Sequence, residues 1–260
     1  MSPGPARARR GLAGLLGLVS ALVLAGCAAA PAPARPEAGP LPPEEVSALV
    51  ARWEAEWRAF PGLRAAVDLD VSRKGRPQRT AGVLVLSPTQ LRFEAITPLG
   101  LPALVVVTAP ERLTVFSPIE RRAWTGRPTP AAMNRWLGLP VDPDALIQLL
   151  VGRVPLPPDS AAVRAVAAPS PYLAFQRSGG AYRVWVGPEG YPVRIQIEDG
   201  AGIIVAFERG VDGTLRSLTA EVPAQALRAQ LRYLAVEAIA PPADVFELLI
   251  PPGVPIESVG

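Results

Sequence analysis

The period of the hydrophobic pattern changes along the chain, and each change predicts a different element. Between Glu44 and Phe60, the residues Val46, Leu49, Val50, Trp53, Trp57 and Phe60 recur at the spacing of one helix face, with Arg52, Glu54, Glu56 and Arg58 between them. This predicts one amphipathic helix, ended by Pro61-Gly62. Its tryptophan pair suits either a stripe buried on a sheet or an interfacial membrane face. After Gly62 the period becomes two: Leu63, Ala65, Val67, Leu69 and Val71 alternate with Arg64, Ala66, Asp68, Asp70 and Ser72, the mark of a half-buried strand. Arg73 to Pro77 reads as a turn and Gln78 to Leu86 as the partner strand. Leu91, Phe93 and Ala95 alternate next, Ala103 to Val107 is apolar on both faces, and Leu113 to Phe116 with Arg121 to Thr125 forms another hairpin around Ser117-Pro118.

The alternation then lapses. Thr129-Pro130 starts a short helix that Gly138 and Pro140 stop, and Asp142-Pro143 starts a second with Ala145, Leu146, Leu149 and Leu150 as its apolar side, up to Gly152. From Val163 the meander resumes, with turns at Ser178-Gly179-Gly180, Gly187 to Gly190, Asp199-Gly200 and Asp212-Gly213, and a last long strand from Leu227 to Ile239. Roughly 11 to 13 strands in one domain call for a large curved antiparallel sheet or a barrel, since flat open sheets of that size are rare. The proline-rich tail, Ile250 to Gly260, reads as an irregular strap.

One tip breaks the rule that exposed turns are polar. In Thr97-Pro98-Leu99-Gly100-Leu101-Pro102, two leucines sit among two prolines and a glycine. Such a leucine either folds back into a core or is offered to something apolar outside.

The N-terminus changes the picture of charge and location. Arg7, Arg9 and Arg10 precede an uncharged run from Gly11 to Ala25, about 15 residues against the ~20 that a spanning helix needs. This is the pattern of a cleaved signal peptide over residues 1–26. Leu24-Ala25-Gly26-Cys27 resembles a bacterial lipobox, which implies diacylglycerol and a further acyl chain such as palmitate on Cys27. Multiple chains anchor stably where one does not. Ala28 is not the aspartate that retains lipoproteins on the inner membrane in well-studied Gram-negative envelopes, so the same resemblance implies the outer membrane, with the protein facing the periplasm. Residues 27–43 read as a lipidated Pro/Ala-rich tether and 44–260 as a single domain. The excess of 26 basic over 23 acidic residues is accounted for by the three N-terminal arginines, and the basic residues lack an aromatic platform, which excludes nucleic acid as a partner.

Candidate chemistry is sparse. The chain has no histidine and one cysteine, so Ser-His-Asp and Cys-His systems and histidine metal sites are excluded. The carboxylate pairs Asp68/Asp70, Asp142/Asp144 and Glu198/Asp199 can serve a hydrolase or an oxygen-ligand metal site if they converge, and a solvated strand face, a helix cap and a turn if they do not. The expectation is a protein that is not an enzyme, with no cofactor beyond the covalent lipid.

Two segments carry a family resemblance. Leu91-Arg92-Phe93-Glu94-Ala95-Ile96-Thr97-Pro98-Leu99-Gly100 resembles the strand and Asn/Thr-Pro-Leu-Gly loop of the LolB family of outer-membrane lipoprotein receptors. Trp136-Leu137-Gly138-Leu139-Pro140-Val141 with Leu146 to Pro155 is similar to its G-x-P…L-x-x-W-(I/L)-x-G-x-P segment, with Gln148-Leu149 where the family commonly has Arg/Gln-Trp. The resemblance does not extend past Val222. It implies a monomeric half-open antiparallel barrel (LolA/LolB-like), its concave side capped by helices around an apolar cavity. That cavity accepts lipoprotein acyl chains from a soluble LolA-like periplasmic carrier, and the loop Pro98, Leu99, Gly100, Leu101 meets membrane lipid. Phe93, Val106, Phe116, Trp136, Leu146 and Leu150 are the candidate lining. A related barrel binding another lipid or glycolipid, or a filled barrel acting as a structural accessory of an envelope assembly machine, is the alternative.

Overall fold

The computed structural model describes residues 41–259, Gly179 excepted; the residues read above as a signal peptide, Cys27 and nearly all of those read as a tether lie outside the described residues. Helix α1 (Pro43–Arg58) leads into β1 (Leu63–Arg73), β2 (Arg76–Leu86), β3 (Leu91–Ile96), β4 (Pro102–Ala109), β5 (Arg112–Ser117) and β6 (Arg122–Gly126). Helices α2 (Pro130–Leu137) and α3 (Pro143–Leu150) follow. The second meander is β7 (Arg164–Val166), β8 (Tyr172–Arg177), β9 (Gly180–Val186), β10 (Pro192–Glu198), β11 (Ile203–Arg209), β12 (Leu215–Val222) and β13 (Leu227–Ala238), and the chain ends in β14 (Ile256–Val259). Among the described residues, all 14 strands form one curved, unclosed sheet in the order β14-β6-β5-β4-β3-β2-β1-β13-β12-β11-β10-β9-β8-β7. Residues 39–260 make one compact unit with its own core.

The two meanders are joined at the middle of the sheet, where β1 pairs antiparallel with β13 and Leu69 lies opposite Leu231. Alternation fixes the faces. Val67 and Leu69 on β1, Leu84 and Leu86 on β2, Leu91 on β3, Val106 on β4 and Val115 on β5 all join the main core on the concave side. Helix α1 packs there through Val46, Val50 and Trp53, and Trp53 Nε1 donates to the carbonyl of Gly190 at 3.0 Å. Trp57 stacks on Phe60 at 5.3 Å and packs against the same core. The tryptophan pair is therefore a buried stripe. Between helix and sheet, Gly62 takes φ +128°, and a Cβ there would lie 2.5 Å from the Leu86 carbonyl oxygen; only glycine fits the corner.

The double-sided apolar run on β4 has two covers. Val106 faces the main core, whereas Val105 and Val107 join Val85 in a second cluster on the convex side, closed by Phe246 from a one-turn 3-10 helix at Ala243–Phe246. Arg92 holds this turn by donating to the Val245 carbonyl at 2.8 Å. The tail departs from the irregular strap expected of it. Its last residues form β14, which pairs parallel with β6, Ile256 opposite Ala123, and Glu257 accepts from Trp124 Nε1 at 3.0 Å. Four residues behind Pro255 are too short for a readable alternation. At the other edge, the meander expected to resume from Val163 opens with a 3-10 turn at Ser160–Ala162 followed by the three residues of β7.

Phe246 is 6% exposed and is the large side chain over the convex cluster. Phe246→Ala should destabilise the domain by about 3 kcal/mol, read as a lower urea midpoint at unchanged slope. Removing residues 240–260 should instead expose Val85, Val105 and Val107 and cause aggregation detectable by light scattering.

Candidate functional site

An apolar cavity of about 140 Å³ lies between the concave face and the roof formed by α2, α3 and their link. Its floor follows from strand register. One transverse row runs Val71, Ala229, Ala220, Val205 and the next runs Leu69, Leu231, Leu218. The space exists because two adjacent strands place alanine in the first row, where leucine in the second fills its share. The roof contributes Leu137, Leu139, Val141, Leu146, Leu149 and Leu150. Every lining side chain is apolar. Two larger clefts, of about 710 and 680 Å³, lie alongside α1 and are lined by a mixture including Glu54, Arg164, Arg58 and Asp144; their composition suits solvent.

The sequence explains the shape of the roof. Thr129 caps α2 by accepting from the Ala132 amide at 3.2 Å. Gly138 ends it at φ +72°, and a Cβ there would stand 2.7 Å from Leu227 Cδ2, so the link can press against β13 only as glycine. Around the perimeter the contacts are polar. Tyr233 donates to the Leu150 carbonyl, Arg209 donates to the Gly152 carbonyl at 2.6 Å, and Gln225 donates to Asn134 Oδ1 at 2.7 Å. Arg177 pairs with Asp144, and Ser178 donates to Asp142 Oδ2 at 3.0 Å. Burial pushes the Tyr233 phenol well above its ordinary pKa of 10.0 and, more than the opposing pull of Arg177, pushes Tyr182 up to about 12. It also lowers the pKa of Arg209.

Of the residues expected to line a cavity, Phe93, Leu146 and Leu150 do. Val106 is buried on the same face, paired with Phe93, within the main core. Trp136 lies beside Trp124, ring centroids 4.7 Å apart, and packs against the main core without lining the cavity. Phe116 faces the convex side: Leu113 and Val115 point inward, so the alternation turns Phe116 outward opposite Val105. The sequence reading missed the floor from β11, β12 and β13. Its signal was the alternation Ile203/Val205 and Leu218/Ala220, but only the β1–β13 pairing brings those residues beneath α3.

The tip of the β3–β4 loop is exposed, Leu99 by 86% and Leu101 by 63%. Gly100 donates its amide to the Thr97 carbonyl at 2.9 Å, Thr97 and Leu101 close the loop at 2.8 Å, and Gly100 takes φ +80°. The paired carboxylates have local partners. Asp68 and Asp70 face Arg232, with Arg79 also on Asp70. Glu198 pairs with Arg183, and Asp199 accepts from the amides of Ala201 and Gly202. Among the described residues no three such groups converge as a metal site would require.

No family model matches the sequence, and no curated protein matches it. Solved structures do match the fold. A LolA superfamily protein from Nitrosomonas europaea superposes with a TM-score of 0.54 at 11% identity, covering 78% of this chain and 97% of the other. A DUF1329 family protein from Desulfovibrio piger gives 0.53 at 11%, over 79% and 97%. A domain described as an outer membrane lipoprotein-sorting protein from Vibrio parahaemolyticus gives 0.52 at 10%, over 79% and 97%. The chain thus has the curved, unclosed sheet of LolA-like proteins.

The folded state favours neutral Tyr182, so that stabilisation is complete below pH 10 and is lost as pH rises through about 12. In an alkaline titration, tyrosinate absorbance from Tyr182 and Tyr233 should appear together with unfolding, and Tyr233→Phe should remove part of the delayed signal.

Proposed function

We propose that this protein is an outer-membrane-anchored lipoprotein that binds acyl chains between its sheet and its α2–α3 roof and takes part in lipoprotein localisation. The observation that carries the reading is the cavity, whose lining is entirely apolar and whose floor is emptied by Ala220 and Ala229. The LolA-like fold and the exposed Leu99 loop support it.

The volume defines the mechanism. About 140 Å³ holds a body of benzene size, well short of the 300–1,000 Å³ of ordinary ligand pockets. An acyl chain therefore enters only as the roof lifts. The polar contacts at the perimeter are worth about 1 kcal/mol each, whereas each methylene taken from water returns about 0.8 kcal/mol. Ten methylenes, about 8 kcal/mol, outweigh the handful of contacts broken. Against a bilayer, which is as apolar as the cavity, that gain vanishes and the cost of the open roof remains. Chains are thus held in water and released to lipid, and Leu99 on its rigid turn marks where the domain reaches the lipid. The lipid on Cys27 keeps the domain at the membrane, and a soluble LolA-like carrier would hand over the cargo.

The fragment 39–260 should bind a fluorescent fatty-acyl probe saturably, with palmitate displacing it. Ala229→Leu, which fills the floor, should reduce binding at least tenfold while the domain stays folded by circular dichroism. A folded wild-type fragment that binds no probe would sink the carrier reading and favour a filled barrel. In cells, Cys27→Ala should abolish incorporation of labelled palmitate and move the protein to the soluble fraction. Leu99→Glu should leave the melting temperature within about 2 °C, because the side chain touches no core, and should abolish delivery of bound chains to vesicles.

A further inference from the structure

We infer that the sheet end bearing the Leu99 loop docks on anionic bilayers through two apolar tips and a set of cations, with Ile119 as the second tip. This rests on the reading of Leu99 given above and extends it to a second loop and to a class of lipid.

Strand direction places the β1–β2 turn, the β3–β4 loop and the β5–β6 loop at one end of the sheet, since each joins an odd strand to the next even one in the meander. Register places the two apolar loops at one height. Ala95 pairs with Leu104, Val105 with Phe116, and Ser117 with Arg122, so the β5–β6 loop leaves the sheet within two residues of the Ile96–Pro102 pair. Two strand spacings, about 10 Å, separate them.

The two tips share one construction. Leu99 follows Pro98 and Ile119 follows Pro118, each as the third residue of a turn opened by a hydroxyl residue. Thr97 Oγ1 accepts from the Leu101 amide at 3.2 Å, and Ser117 Oγ accepts from the Glu120 amide at 3.2 Å. Ile119 is 69% exposed. Proline and the side-chain contact hold each tip in place, so presenting a large apolar group costs little ordering entropy on binding.

Charge selects the kind of surface. Arg73, Lys74 and Arg76 on the β1–β2 turn and Arg121 beside Ile119 are exposed and form no ion pair with any described residue. Further down, the cations are engaged, Arg79 on β2 by Asp70 and Arg232 on the neighbouring β13 by Asp68 and Asp70. Arg122 reaches Glu257 only at 3.5 Å, and Glu120 is the single acid of the β5–β6 loop. The β1–β2 hairpin runs five residues past the Ala81–Ile96 pair, so its cations stand outward of the apolar tips while Arg121 adjoins one of them, and this end of the sheet offers both apolar groups and free cations to a hydrocarbon layer bordered by anionic phosphates. Each cation near such a surface multiplies affinity roughly fivefold.

The test is flotation of fragment 39–260 with vesicles of phosphatidylcholine alone and of phosphatidylcholine with 30% phosphatidylglycerol, circular dichroism confirming the fold of each variant. The expected result is tighter binding to the anionic vesicles that weakens with salt. The triple variant Arg73→Ser, Lys74→Ser, Arg76→Ser should lose at least tenfold on anionic vesicles with little change on neutral ones, and Ile119→Ser should lose severalfold on both. Equal binding to both vesicle types, no effect of the triple variant and Ile119→Ser, or no binding at all would each overturn the proposal. Loss with Leu99→Ser alone would leave the single-tip reading standing while this one falls. Loss with the other variants but not with Leu99→Ser would overturn both, since Leu99 is one of the two tips.

Discussion

A sheet of fourteen strands that does not close on itself must cover its concave apolar face with something other than strands, and here three helices do it. That shortage of cover governs the molecule. Helix α1 commits Val46, Val50 and Trp53 to the core near the second meander. Helices α2 and α3 are eight residues each, too short to be stable by themselves, and persist because they roof the remaining apolar area. Their inward side is apolar and their fixings are polar and peripheral.

The fold was legible wherever period and punctuation agreed. Residues 44–60 read as a helix because the apolar spacing and Pro61-Gly62 point the same way, and β1 and β3 as strands because their alternation is clean. Asp142-Pro143 marked α3 although the aspartate side chain turns to Ser178 instead of capping the helix. What escaped were features decided by distant partners. β14 exists because β6 offers it an edge, and its four residues contain no signal of their own. The apolar run at Ala103 to Val107 announced two buried faces but not that Phe246, far along the chain, covers one of them.

The cavity was half legible for the same reason. Phe93, Leu146 and Leu150 belong to segments whose resemblance to a known family was visible, whereas Ala220 and Ala229, which make the space, are inconspicuous in sequence. Phe116 shows the opposite error: a large aromatic is a tempting lining residue, yet the phase set by Leu113 and Val115 leaves it no choice of face. At 10–11% identity to its structural neighbours, the chain preserves a shape through pattern and register with almost none of the residues in common.

The pairing of Leu63 with Ala238 at the heart of the sheet has a consequence for how the chain is made. The central seam joins β1 to β13, with β2 to β12 between them in sequence, so the two meanders can form separately but cannot unite until all of these strands have been made. Contacts so distant in sequence form slowly. Until the seam closes, the facing edges of β1 and β13 stand unpaired and the apolar floor lies open, so the chain depends on protection from its own kind.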